Sequence, residues 1–408
     1  MDYTAQSLAF KIRKALRYLR LYGLRRTLVK IRGQYHMKRA FPTLPVLPAE
    51  TRPGGHVGLI GCGNFAFSNI AYYLRKNHRG AIRAAMDVDP HKAASLFESY
   101  GLAYYTEDAE RLIADPAIDL VYVASNHASH AEYAIRCLEA GKCVHIEKPH
   151  VVNRDQLVRL CRTLQRTRGR VGLGFNRPGS RIGQRIQRAL ATQPGPMMLN
   201  WFIAGHEIAP DHWYFKEEEG GRILGNLCHW TDFVYQMVAP EHRYPLTITP
   251  TRADKSDCDI AVTYVFGDGS IAALTFSAKG HTFEGVRERF AAHRGNVLIA
   301  MDDFKTLTLE TVADKEKVTL PFRDHGHESN ILRSYRMIED PAFSPCPLDY
   351  VWETGELFLA TKQALERRVP VTLAGFDAEC LSQPDHAELD FAIRASSENV
   401  SSAQRAQE

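Results

Sequence analysis

A short apolar run, His56-Val-Gly-Leu-Ile-Gly61, leads straight into Gly61-Cys-Gly63-Asn64-Phe65-Ala66 and then into a helical stretch ending near Lys76. G-x-G-x-x-A between a strand and a helix leaves the chain few options. The first glycine permits a tight turn, the second lets the backbone approach a pyrophosphate, and the third position must be small so that helix and strand can pack. The free N–H groups and positive dipole end of the helix then face the phosphates. A glycine-rich turn without a ligand is the competing reading. The repeating pattern downstream weighs against it.

That pattern runs strand, helix, strand, helix. Ala81 to Val88 reads as a strand. Asp89 and Pro90 form an N-cap and first-turn proline, and Gly101 stops the helix they open. Asp119 to Ser125 is a buried-type strand, followed by a helix with Ala131, Ala134, Ile135 and Leu138 on one face and Gly141 at its end. Cys143 to Ile146, a helix from Asn153 to Arg168, and Val171 to Phe175 complete the series. Short strands alternating with helices predict an α/β domain over residues 55–177: a Rossmann-type, doubly wound parallel sheet.

Strands dominate further on, from Met197 to Ile203 and then from Leu246 to Glu310, with Gly267-Asp268-Gly269 as a hairpin turn. Helices are expected at 221–238, 326–340 and 350–368. Residues 178–384 therefore read as an α+β substrate and oligomerisation domain with a mainly antiparallel open sheet, and 385–408 as a polar tail.

Residues 1–54 form a separate arm. Leu8, Ile12, Leu16 and Leu19 make a helical stripe, Gly23 interrupts it, and Leu24 to Ile31 continues as a second helix before a proline-punctuated linker. The formal charge of +4 hides a split: residues 1–40 hold eleven Lys or Arg and one acid, so the arm carries +10 and the remainder −6. The body is thus no nucleic-acid binder. Interleaved charge excludes a secretory signal. Three readings of the arm stay open: a helix docked on its own domain or a sister subunit, an interfacial helix on anionic lipid, or a mitochondrial transit peptide. No stretch of 18 apolar residues occurs, and eight cysteines without a C-x-x-C pair indicate neither a disulfide scaffold nor a zinc ribbon. A cytoplasmic setting, membrane-peripheral if the arm meets lipid, is the simplest expectation.

Several residues carry candidate chemistry. Asp87, at the end of the second strand, stands where a ribose-binding acid belongs. It favours NAD over NADP, although Lys92 offers a 2′-phosphate partner. Its competing role is to start the Asp-Val-Asp-Pro turn. Glu147-Lys148-Pro149 follows the fifth strand at the ligand-binding edge of the sheet, where a protonated lysine stabilises an alkoxide. On its own the tripeptide reads equally as a surface ion pair. Asn226, His229 and Asp232 step by three along a helix. The imidazole exchanges protons near neutrality, and Asp232 is placed to fix its tautomer. A packed core histidine is the alternative. His127 and His130 are an H-x-x-H pair without a third ligand at a metal spacing, so no metal is expected.

Taken together, G-C-G-N-F-A at 61–66, M-D-V-D-P at 86–90, S-N-H-A-S-H at 125–130, E-A-G-K-C-V-H-I-E-K-P at 139–149, G-F-N-R at 174–177 and G-G…H-W-T-D at 220–232 resemble the Gfo/Idh/MocA oxidoreductases. The resemblance spans about residues 55–370 and leaves the arm outside it. It implies an NAD(P)-dependent oxidoreductase acting on a hydroxyl of a sugar, cyclitol or nucleotide sugar, with a homo-oligomer formed through the C-terminal sheet. It implies Lys148 as the residue beside the reacting hydroxyl and His229 as the general acid/base. Asn226 and Asp232 support them, and Asn176 and Arg177 are candidate substrate ligands. Gly61, Gly63, Asn64, Phe65, Ala66, Asp87, Ser125, Asn126, His127, His130, Glu147 and Lys148 line the expected cofactor site. Two positions depart from the family pattern: many relatives carry aspartate where Gly225 stands, and many carry proline in the Ser125-Asn126 position. A cofactor-binding regulator without turnover and an NAD-dependent glycoside hydrolase are the other functions compatible with the same residues.

Overall fold

The computed structural model describes residues 3–48, 54–253, 259–280 and 282–381. The expected polar tail at 385–408 lies outside the described residues.

The arm is a helical pair, α1 (Leu8–His36), broken at Gly23, whose φ of 75° and ψ of 170° are not helical. It docks on its own chain, but not with the stripe that its periodicity picked out. Leu8, Ile12 and Leu16 are 72%, 51% and 55% exposed. Polar anchors on the opposite face do the docking. Lys14 donates to the carbonyl of Phe283, Arg17 pairs with Glu284, and Arg26 donates to the carbonyl of Ser68 and to Asn69. His36 bridges the Cys62 carbonyl at 2.7 Å and the Ser95 hydroxyl at 2.9 Å. Gly33 permits the approach, since a Cβ there would stand 2.3 Å from Oδ1 of Asn64. Specific hydrogen bonds to buried partners thus outweigh the nonspecific gain from turning leucines inward.

The amino-terminal domain alternates as expected. β1 (Val57–Ile60) passes through the glycine turn into a π-helical turn, Ala66–Ile70, that continues as α2 (Ala71–Asn77). β2 (Ile82–Met86), α3 (Pro90–Tyr100), β3 (Tyr104–Thr106) and α4 (Ala109–Ile113) follow. Then come β4 (Leu120–Val123), α5 (His127–Glu139), β5 (Cys143–Ile146), α6 (Arg154–Thr167) and β6 (Val171–Leu173). The order β3-β2-β1-β4-β5-β6 is all parallel. β1, β4 and β5 are buried at every residue, because helices cover both faces of the sheet. Asp89 caps α3 as read from sequence, accepting from the His91 N–H. β3 and α4 were not anticipated; they span only three and five residues.

After α7 (Arg181–Leu190) the chain builds a nine-stranded mixed sheet. Its members are β7 (Met198–Ala204), β8 (Leu246–Ala253), β9 (Asp259–Val265), β10 (Ile271–Ser277), β11 (Arg287–Arg294), β12 (Val297–Asp302), β13 (Thr306–Glu310), β14 (Lys315–Thr319) and β15 (Val371–Leu373). Between β7 and β8 lies α8 (Cys228–Met237); α9 (His327–Glu339) and α10 (Leu348–Arg367) precede β15. All neighbouring strands pair antiparallel except β7 with β10. β9 and β10 form the hairpin that Gly267-Asp268-Gly269 announces. Burial alternates along β7, with Trp201 fully buried and Phe202 exposed. One sheet face is therefore core, and the other shows Met198, Phe202 and Leu298 to water.

Gly61 sets how the glycine turn meets β4. Its φ is +88°, and a Cβ would lie 2.4 Å from the Ser125 nitrogen and 2.5 Å from the Ala124 carbonyl. Gly61→Ala should lose about 2–4 kcal/mol of stability from overpacking and the left-handed backbone together. Thermal denaturation checks this; an unchanged Tm would contradict the close approach.

Candidate active site

Three chain segments converge at the carboxyl ends of the parallel strands. The first is the glycine turn after β1. The second comprises the loops after β4, β5 and β6. The third reaches over from the second domain: residues 213–229, ending in a π-helical turn (Ile223–Leu227) that runs into α8. π-turns inside helices are frequent at functional positions, since they reposition side chains relative to a regular helix.

The glycine turn has the features a dinucleotide needs. No atom lies within 4 Å of where a Cβ of Gly63 would be, so the backbone there is open to a ligand. Oδ1 of Asn64 is buried without a partner among the described residues. Asp87 sits just past β2, and its carboxylate accepts from the N–H of Cys62 at 2.7 Å and of Asp89 at 2.9 Å. The turn and the acid are thus one hydrogen-bonded unit. Lys92 is drawn to Asp89 at 3.2 Å rather than toward Asp87. Phe65 packs edge-on against His327 of α9.

The loop after β4 is stapled to the second domain. Asn126 donates to Oε1 of Glu219 at 2.6 Å, the Ala128 N–H donates to Oε2 at 3.2 Å, and Nδ1 of His127 meets the Glu219 carbonyl at 2.9 Å. Glu219 is buried and supplies the negative cap at the start of α5. Ser125 bonds to Ser129 at 2.7 Å. His130 holds the neighbouring loops together, with Nδ1 at 2.8 Å from the Pro149 carbonyl and Nε2 at 3.1 Å from the Ser125 carbonyl. Both imidazoles of the H-x-x-H pair are thus engaged by backbone carbonyls, which accounts for their spacing without a metal.

Lys148 is the centre of the arrangement. Its ammonium donates to the Gly225 carbonyl at 2.6 Å, and the Tyr214 hydroxyl donates to the same oxygen at 3.1 Å. Burial pushes the Lys148 pKa down, but Tyr214, Cys228 and Glu147 outweigh it and leave the pKa raised, so the group stays charged. Glu147 lies beside His145, 3.2 Å away, and against Gly174, whose Cβ would clash with Oε2 at 2.6 Å.

His229 is held neutral. Burial first, then the charges of Arg177 and Lys148, put its pKa well below the usual 6.5. Nδ1 of His229, Oδ1 of Asn226 and Oδ1 of Asn176 are buried polar atoms without partners among the described residues. They lie on adjoining segments, since Phe175 packs edge-on against His229 and Arg177 stacks over Trp230. An unpartnered imidazole nitrogen and two unpartnered amide oxygens beside an ammonium suit a ligand bearing several hydroxyl groups.

One expected role does not survive. Asp232 does not orient the imidazole. Its carboxylate accepts from Tyr350 at 2.6 Å and from Gln236 at 2.9 Å, and burial raises its pKa to about 7. A three-residue step along a helix turns the two side chains toward different neighbours. Arg177, expected as a substrate ligand, is engaged by the protein itself. It is buried, and its Nε donates to Oε1 of Glu288 at 2.5 Å. Glu288 also accepts from the Trp230 indole at 2.8 Å and faces Nε2 of His325 at 3.0 Å. Burial alone would raise the Glu288 pKa; Arg177 and His325 instead hold it far below the carboxylate range. Glu219 and Glu288 escaped the sequence reading because their partners Asn126 and Arg177 lie 93 and 111 residues away; Tyr214, eleven residues from Gly225, belongs to no motif.

With this geometry in view, the likeness to known proteins is specific. The model of the oxidoreductase family with an NAD-binding Rossmann fold, GFO_IDH_MocA, matches residues 56–175. Over those residues the chain is similar to the nucleotide-binding domain of the Gfo/Idh/MocA oxidoreductases. An uncharacterized oxidoreductase of Bacillus subtilis, YrbE, is 24% identical over 331 residues, covering 78% of this chain and 96% of that protein. A myo-inositol 2-dehydrogenase of Thermotoga maritima is 27% identical over 187 residues, covering 45% of this chain and 55% of that enzyme. An oxidoreductase of Agrobacterium radiobacter, solved with NAD+, L-tartaric acid and magnesium, shares the fold with a TM-score of 0.67 at 16% identity, covering 78% of this chain and 97% of its own.

The glycine at 225 has a steric cause. A Cβ there would lie 2.4 Å from Cε1 of Tyr214 and 2.5 Å from Cε1 of His127. No aspartate fits, and Lys148 takes the backbone carbonyl instead. Gly225→Asp should therefore cost about 2–4 kcal/mol in stability, measured by urea denaturation. A variant as stable as the parent would show that the rings yield readily.

Acid should also weaken the fold. The pKa values of His127, His130, His150, His229, His325 and His327 are all lowered, with burial the largest cause. Below pH 6.5 the unfolded chain takes up these protons and the folded chain does not, so stability falls as pH falls. Asp232 and Glu356, raised to about 7, act in the opposite sense but are only two groups. Tm should drop between pH 7 and pH 5; a flat or rising Tm would contradict neutral buried histidines.

Proposed function

We propose that this chain interconverts a secondary hydroxyl and a keto group on a sugar-like or cyclitol substrate, with Asp87 selecting NAD. The observation that carries the reading is that Lys148 bonds into the turn leading to His229, near enough for its charge to act on the imidazole. Lys148 comes from the loop after β5 and bonds to a carbonyl four residues before His229, and its charge helps keep that imidazole neutral. The inositol dehydrogenase among the relatives points toward the same substrate class.

The glycine turn, Asn64 and Asp87 are the residues that would hold the dinucleotide, and bound NAD supplies the hydride acceptor. The chain's own groups handle the proton and the charge. A neutral His229 is ready to take the hydroxyl proton at its unpartnered Nδ1. The Lys148 ammonium stabilises the alkoxide that develops at the same oxygen. Asn226 and Asn176 are placed to accept hydrogen bonds from neighbouring hydroxyls and so orient the ring. Arg177 contributes positive charge while Glu288 fixes its guanidinium, so it acts on the site through electrostatics and packing. Self-association through the outer face of the second sheet, where Met198, Phe202 and Leu298 stand in water, is part of the same reading.

A panel of sugars, cyclitols and nucleotide sugars, followed at 340 nm with NAD and with NADP, tests the reading. Substrate-dependent reduction with NAD preferred is expected; silence across the panel favours a cofactor-binding regulator. Release of an aglycone without net NADH favours a glycosidase. With the substrate in hand, Lys148→Ala should abolish turnover while leaving NADH binding in place. His229→Asn should lower kcat/KM by about 10²–10⁴-fold. The acid limb of the oxidation profile should lie below pH 6.5, since the base is depressed. A limb at or above pH 7 would remove His229 from that role.

A further inference from the structure

The arm carries an apolar surface that the other described residues do not cover. Before the break at Gly23 the row is Leu8, Ile12, Leu16 and Leu19. After it the row is Leu24, Leu28, Ile31 and Tyr35. All eight are exposed, from 37% at Ile31 to 72% at Leu8. Each row follows the four- and three-residue steps of one helix face. Ile12 from the first row and Ile31 and Tyr35 from the second line one open groove, so the two rows meet there. Of the side chains anchored to the body, Lys14 and Arg26 leave from the other side of each helix and His36 from the flank of the second. The orientation is therefore fixed by bonds to the body.

Charge accompanies this surface. Arg13 and Arg20 in the first helix and Arg25 and Arg32 in the second are exposed. At 100° per residue each stands about a quarter turn from its apolar row. Residues 1–40 carry +10 in all, against −6 for the remainder. A leucine row flanked by arginines is the arrangement in which apolar side chains enter the acyl boundary and guanidinium groups meet anionic headgroups. A second arm seated on the first would bring two +10 segments together, which the same charges oppose. No described helix is long and apolar enough to cross a membrane, so the contact would lie in the plane of the surface.

We propose that the arm is a monotopic attachment device that seats this protein on an anionic lipid surface through its two outward leucine rows. This is independent of the catalytic reading. The test is sedimentation of the full chain with vesicles of phosphatidylcholine alone or with one third phosphatidylglycerol. Binding to the anionic vesicles and little to the neutral ones is expected. The combined variant Leu8→Ser, Leu16→Ser, Leu24→Ser, Leu28→Ser should stay in the supernatant. These side chains already face water, so an unchanged melting curve accompanies it. Changing Arg13, Arg20, Arg25 and Arg32 to Gln should weaken binding roughly fivefold for each arginine removed. A parent protein that ignores anionic vesicles overturns the proposal, as does a serine variant that sediments like the parent. A dimer that the serine changes dissociate, without vesicle binding in either protein, assigns the rows to a second copy and equally overturns it.

Discussion

The hydrogen bond from the Lys148 ammonium to the Gly225 carbonyl is the constraint on which the rest of the site depends. A buried ammonium must be satisfied, and the group that satisfies it comes from the other domain. The register between the two domains at the crevice is thereby tied to one charged donor. Tyr214 approaches the same oxygen, His127 fills the space beside Gly225, and Glu219 anchors Asn126 and the start of α5. Each contact is modest, but together they fix His229 relative to the loops that carry the candidate nucleotide site.

The charges nearby are arranged with equal economy. Arg177 and Glu288 form a buried pair that Trp230 and His325 complete. Such a pair is rarely a net source of stability, because desolvation offsets most of the Coulomb gain. Its effect is positional. A guanidinium that cannot swing into water keeps a constant positive field on His229, and that field, with Lys148, adds to burial in holding the imidazole deprotonated. The nearby His325 and His327 are likewise neutral, so the pocket concentrates its positive charge in a few defined groups.

Much of the fold was legible because its causes are local. Gly61 must turn against β4, Asp89 must cap α3, and strands buried on both faces must read as continuous apolar runs. Lys148 and His229 were singled out for a different reason: their flanking tripeptide and helix motif resemble those of a known family. What was hidden needed distance information. Asp232 finds Tyr350, 118 positions along the chain, and not the histidine one turn away. Glu219 and Glu288 look like ordinary surface acids in sequence and are buried in the structure. The α7 helix was missed although Ser180 and the spacing of Ile182, Ile186 and Leu190 announce it. The arm shows the limit most clearly. Periodicity found its leucine stripe, but only the partners of Lys14, Arg26 and His36 reveal that the stripe faces outward.

Those partners have a consequence for ligand affinity. Gly33 abuts the side chain of Asn64, and His36 grips the carbonyl of Cys62, both within the turn expected to cradle a pyrophosphate. Two binding events that share one mechanical element are thermodynamically linked, and the linkage is reciprocal. Whatever occupies the outer side of the helix and alters its seating must change the affinity of the turn by some factor. A molecule filling the turn must then change the grip of the outer side by that same factor.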